Sequence, residues 1–79
     1  MYYVTMTDTF MSGWGLAKGN INKLIFECDT FEEAEKVAQY AETRGDQKYI
    51  NINVKKPYYD TKHYYPQYKT KEDYPNWYK

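Results

Sequence analysis

The chain is predicted to be α+β: a small three-stranded antiparallel sheet, one helix packed on one of its faces, and a tyrosine-rich irregular C-terminal tail. Three observations predict this. Leu24, Phe26 and Cys28 alternate with Lys23, Ile25 and Glu27, and Ile50, Ile52 and Val54 alternate with Tyr49, Asn51 and Asn53, the period-two pattern of strands with one face toward a core. Between these runs Ala34, Val37, Ala38 and Ala41 fall at i, i+3, i+4 and i+7, the apolar stripe of a helix. Beyond Pro57 neither period is sustained, and prolines 66 and 75 interrupt a run of tyrosines, leaving room for no more than a short edge strand at Tyr64-Tyr65.

Taken in order, Tyr2 to Thr7 is the first strand, with Tyr2, Val4 and Met6 on one face and Tyr3, Thr5 and Thr7 on the other. Residues 8–20 then make a connection far longer than the two to five residues usual in hairpins. It carries Gly13, Gly15 and Gly19 around Trp14. Trp14 either serves binding from an exposed loop or folds back to cap one end of the core. The second strand follows. Thr30 and Glu33 have capping-box spacing, in which each side chain satisfies a backbone N–H left over by the first helical turn. Gly45 stands where a helix end needs a left-handed residue.

A strand–helix–strand unit runs its two strands parallel. With the first strand slotted antiparallel between them, the core is ββαβ with strand order 2-1-3. Pro57 ends the last strand because it has no N–H to donate. Residues 1–56 form the core domain and residues 57–79 a Tyr/Lys-rich extension that packs on or beside it, a single domain overall at 79 residues. A core this small is marginal, so either the tail covers the open face of the sheet or a twofold dimer does. A monomer or a homodimer is therefore expected.

Chain-wide features exclude several classes. No run of about eighteen apolar residues exists for a membrane span. The N-terminus lacks the basic-then-apolar layout of a secretion signal, which makes the cytoplasm the expected location. The one cysteine, Cys28, has no partner for an internal disulfide. Net charge is zero, but Met1 to Gln47 holds four basic residues against eight acidic, and Lys48 to Lys79 seven lysines against three acidic. The basic half also carries eight of the eleven tyrosines.

Nothing in the sequence assembles catalytic chemistry. His63 is the only histidine and has no local partner for acid–base work or for a metal site. Cys28 falls on the core face of its strand, a poor setting for a thiolate. Asp29, Glu32 and Glu33 are what a helix dipole favours at its start. Gly13-Trp14-Gly15 with Gly19 has no phosphate-loop spacing. The expectation is a protein that is not an enzyme and takes no metal or cofactor.

The Tyr/Lys-rich tail is the informative stretch. Tyrosines offer rigid contact area with a polar tip, and lysines surround them with positive charge. The partner-binding candidates are Trp14, Tyr58, Tyr59, Tyr64 and Tyr65 as anchors, with Lys55, Lys56 and Lys62 around them. About half of the tail aromatics are expected to be structural, lying over the open sheet face against Tyr3, Ile25 and Tyr49. An alternative of another class is single-stranded nucleic-acid binding. There Tyr3, Tyr49, Asn51 and Asn53 would meet bases on the open face, and tail lysines would follow the phosphates.

At Tyr3-Val4-Thr5-Met6-Thr7-Asp8, Met11-Ser12-Gly13-Trp14-Gly15, Asn22-Lys23-Leu24, Cys28-Asp29-Thr30, Lys48-Tyr49-Ile50-Asn51-Ile52 and Asp73-Tyr74-Pro75-Asn76-Trp77, the chain resembles a family of short proteins of bacteriophages and prophages. The resemblance spans nearly the whole chain and brings no activity with it. It implies expression in the cytoplasm of an infected bacterial host, often from an accessory gene region. Small phage proteins of this kind are frequently inhibitors of host enzymes or defence systems, anti-CRISPR proteins among them. The expected function is thus a phage accessory protein that binds and inhibits a host protein, with nucleic acid the second choice of partner.

Overall fold

In the computed structural model, residues 1–8 and 20–79 are described. Their elements in order are β1 (Tyr2–Asp8), β2 (Ile21–Cys28), α1 (Phe31–Arg44), β3 (Gln47–Asn53), β4 (Tyr64–Lys69) and a 3-10 turn at Pro75–Tyr78. The fold is α+β, but the sheet differs from the expected three antiparallel strands. It has four strands in order β3-β1-β2-β4. β1 lies antiparallel between β2 and β3, as the 2-1-3 order requires. The fourth strand comes from the tail and runs parallel to β2, which makes the sheet mixed and the tail only partly irregular. Pro66 does not break it, because an edge strand turns one row of its N–H groups away from its neighbour.

The helix begins and ends where its sequence says. Thr30 Oγ1 accepts a hydrogen bond from Glu33 N at 3.1 Å, and Gly45 closes the end at φ 80°. The return contact of the capping box is shifted by one residue: Glu33 Oε1 accepts from Asp29 N at 2.9 Å. Ala34, Val37 and Ala41 are fully buried, and their small size lets the helix lie close to Val4, Met6, Leu24, Phe26 and Cys28. Val54, placed by alternation on the core face, is instead 69% exposed, because β3 ends at Asn53 and the chain turns away.

No boundary in packing falls at residue 56. After β4 the chain returns to the helix side, where the Trp77 ring stacks on Phe26 at 4.4 Å and meets Tyr40 at 4.7 Å. Tyr78 is buried in the core and its hydroxyl donates to Glu27 O at 2.8 Å. Lys71 ties the tail to the helix start, 2.7 Å from Glu33 Oε2 and 3.6 Å from Asp29 Oδ2. No described helix is long and apolar enough to cross a membrane.

Candidate functional site

Residues 54–63 carry the chain from β3, at one edge of the sheet, to β4 at the other. Three strand spacings are roughly 14 Å, and ten residues reach well beyond that. Since α1 already crosses from β2 to β3 on one face, this second crossover takes the other face. Crossing back over the opposite face gives both connections the same hand, the favoured one for parallel strands. Its path is marked by Tyr68, whose hydroxyl donates to Pro57 O at 3.1 Å, and by Ile21 N, which donates to His63 O at 2.9 Å. Beneath it Ile25 is fully buried, with Thr5 and Thr7 nearly so.

At the middle of this face stands Lys23. Register pairs it with Thr7 on β1 and Pro66 on β4, and its Nζ donates to Thr7 Oγ1 at 2.6 Å. Three rings frame the ammonium: Tyr59 at 5.6 Å, Tyr49 at 5.9 Å and Tyr64 at 5.9 Å to their centroids. Tyr59 and Tyr64 also touch each other, 5.4 Å between centroids. Each ring attracts the cation through its quadrupole, worth about 0.5–1 kcal/mol at a partly open site. Burial among these groups pushes the Lys23 ammonium below the usual lysine range. An ammonium has three donors, and only the one to Thr7 is used among the described residues.

Tyr49 reaches this position through a backbone irregularity. The β1–β3 register slips between Thr5 and Thr7, so that Tyr49 and Ile50 together oppose Met6. Tyr49 takes φ 58°, a left-handed conformation that costs a non-glycine residue roughly 1–2 kcal/mol. Its side chain remains 73% exposed, so little packing offsets that cost.

Beside the lysine lies an open groove of about 560 Å3 between the end of β3 and the crossover, lined among others by Thr5, Asn51, Asn53, Lys55, Pro57 and Tyr58. Asn53 Nδ2 donates to Thr5 Oγ1 at 3.3 Å and Asn51 Nδ2 to Tyr49 O at 3.1 Å. Tyr58 is 88% exposed, Lys55 is exposed, and Lys56 lies over the Tyr68 ring at 5.0 Å.

The candidates picked from the sequence are therefore partly gathered. Tyr49, Tyr58, Tyr59, Tyr64, Lys55, Lys56, Asn51 and Asn53 share the crossover face. Tyr65 does not, since strand alternation turns it to the helix side, into a cleft of about 500 Å3 with Gln67, Tyr74 and Trp77. Polar groups in that cleft are largely spent on one another: Gln67 Nε2 donates to Asn22 Oδ1 at 2.8 Å, and Lys69 Nζ to Gln67 Oε1 at 2.9 Å and Tyr74 Oη at 3.0 Å. Lys62 sits in the exposed turn before β4, where its N–H donates to Asp60 Oδ1 at 2.8 Å. That bond, followed by the one from His63, holds the Asp60 carboxyl below its usual range. Tyr3 is half-buried in register with Glu27 and Asn53, and the sheet face expected to be open to bases is crossed by the chain itself. Trp14 lies outside the described residues.

Sequence reasoning missed Lys23. Its signal was present: a lysine on the same strand face as Ile25, opposite a threonine, with tyrosines elsewhere in surplus. Cys28 is buried against Phe26, and burial, then the nearby Glu33 charge, pushes its thiol up to about 11. It is a protonated core group at neutral pH. Among the described residues no three His, Cys, Asp or Glu are grouped to hold a metal ion. Comparison with protein-family models, curated proteins and solved structures finds no match to this chain.

Proposed function

We propose that this protein acts by binding, as a phage accessory protein whose crossover face engages and blocks a host protein, with an antiviral defence component the favoured target class. The observation that carries the reading is the exposure of Tyr49, Val54 and Tyr58 beside Lys48, Lys55 and Lys56. Aromatic groups left in water at this density have no use in the chain's own core, and tyrosine with basic neighbours is what protein interfaces concentrate at their centres. The resemblance to phage and prophage proteins supports the host setting. Both faces of the sheet are covered by the chain's own segments, which supports action as a monomer. Single-stranded nucleic acid is the weaker reading, because the surface it needs for stacked bases lies under residues 54–63 and because the net charge is zero.

The test is affinity purification of the tagged chain from infected cells, beside a variant combining Tyr58→Ala with Lys55→Glu and Lys56→Glu. A host protein is expected in stoichiometric amount with the parent and at least tenfold less with the variant, as loss of a hot-spot tyrosine implies. Recovery of no stoichiometric protein by the parent would sink the proposal.

A further inference from the structure

The Lys23 ammonium is the one lysine head group held on the crossover face by ring contacts from three sides, at 5.6, 5.9 and 5.9 Å, among the described residues. Among the described residues its hydrogen bond goes to Thr7 alone, so two N–H donors meet no acceptor there. The framing phenols of Tyr49, Tyr59 and Tyr64 carry further donors that meet no acceptor among the described residues. From Gln47 to Tyr59 the chain contains three lysines and no carboxylate, so positive charge outweighs the Glu27 and Asp60 carboxylates of this face, the latter held by His63. Meanwhile Glu32, Glu35 and Glu42 line the outer surface of α1 on the far side of the molecule.

We infer that the crossover face docks an acidic segment of a partner protein, one of whose carboxylates seats on Lys23 between the rings of Tyr49, Tyr59 and Tyr64. This rests on the protein-binding reading above and names the chemistry of that partner. A carboxylate supplies two oxygens with room for the spare ammonium and phenol donors, a charge-assisted set of hydrogen bonds. The flanking residues of the segment lie along the groove past Asn51 and Asn53, with Lys55 on its rim. The strained Tyr49 backbone fits the same role. A tyrosine kept left-handed at an exposed bulge holds its ring beside the ammonium before the partner arrives, and such strain persists where geometry is needed more than stability. A second copy of this chain is disfavoured as the occupant, although its α1 is acidic. Helix face on crossover face is a head-to-tail contact, which grows chains instead of closing. A nucleic acid strand is disfavoured too, because a polyanion meets a neutral molecule with an acidic far side and only a local positive spot.

The probe is a capped oligoglutamate peptide, titrated at low salt into the isotopically labelled full chain and followed by amide NMR, with oligothymidylate as the second arm. Shifts are expected at Thr7, Lys23, Tyr49, Asn51 and Tyr59, with Lys23→Gln binding about tenfold more weakly, as loss of a charged hydrogen bond implies. Lys23→Arg is expected to keep the charge and most of the affinity. Tyr49→Gly relieves the backbone strain, so it stays folded, and is expected to bind severalfold more weakly. Three results overturn the inference: no shifts on this face, equal affinity of Lys23→Gln and parent, or stronger and saturating shifts with oligothymidylate. Capture of a host protein that survives Lys23→Gln removes the carboxylate docking and leaves the protein-binding reading standing. Failure of the parent to capture any partner removes the latter.

Discussion

On the helix side of the sheet, Val4, Met6, Leu24 and Phe26 meet Ala34, Val37 and Ala41, and Trp77 and Tyr78 fill the remaining space. On the other side, Thr5, Thr7, Lys23 and Ile25 lie beneath a crossover without regular structure, held by hydrogen bonds at Pro57, Thr61 and His63 and by rings around an ammonium. The first closure removes apolar area from water and leaves few groups over. Its gain is proportional to that area and independent of direction. The second relies on a few directional polar and ring contacts, each worth about 1 kcal/mol or less, and leaves Tyr49 and Tyr58 in solvent. One face stabilises the domain; the other is organised so that side chains stay available.

The comparison breaks first on matched core deletions. Phe26→Ala is expected to cost about 3–5 kcal/mol, a large part of the stability of a chain this size, and to leave the protein mostly unfolded in a urea titration. Ile25→Ala, one residue away on the opposite face, is expected to cost about 2–3 kcal/mol, since Ile25 is equally buried. Were its cost below about 1 kcal/mol in the same titration, the crossover would be a loose cover and the second face no core at all.

A smaller effect belongs to the tail's anchor on the helix side. Tyr78→Phe removes the bond to Glu27 O while keeping the ring, and is expected to cost about 1 kcal/mol by denaturation. The Lys71 contact reads out in acid. Its hydrogen bond is the main cause that holds the Glu33 carboxyl below its ordinary value. A depressed carboxyl contributes stability that is complete above its unfolded pKa and fades as pH falls through the folded one. Lys71→Ala should therefore lower stability slightly at neutral pH, leave strongly acid pH unchanged, and so flatten the acid limb of a stability–pH curve. An unchanged acid limb would mean that the pair is too open to matter.

The smallest change expected is at Tyr49. Replacement by glycine removes left-handed strain of about 1–2 kcal/mol, gives back about 0.5–1 in chain entropy and loses one ring contact with Lys23. The net is expected near zero by denaturation, the same variant that is to weaken acidic-peptide binding. A marked destabilisation would move Tyr49 from the recognition side of the comparison to the structural one.

What the residues decided locally is substantial. Thr30, Glu33 and Gly45 set both ends of α1 because caps are satisfied within a few residues of the chain. Strands β1 to β3 and the choice of core face follow from period-two alternation of strongly apolar with polar groups, and the parallel run of β2 and β3, between which β1 was expected to slot, follows from the strand–helix–strand connection. The last third was not legible in this way. Tyrosine is at home both half-buried and exposed, so alternation of tyrosines marks no face, and Pro66 argued against extending the short edge strand at Tyr64-Tyr65 through to Lys69, which only its position at the sheet edge permits. The separation of Tyr64 from Tyr65, the mixed sheet and the burial of Tyr78 depend on β4 pairing with β2 across about forty residues of chain. Lys23 was equally hidden. A lysine in a strand reads as a solvated group until tertiary structure brings Tyr49, Tyr59 and Tyr64 around it, because ring contacts between distant segments leave no periodic trace in sequence.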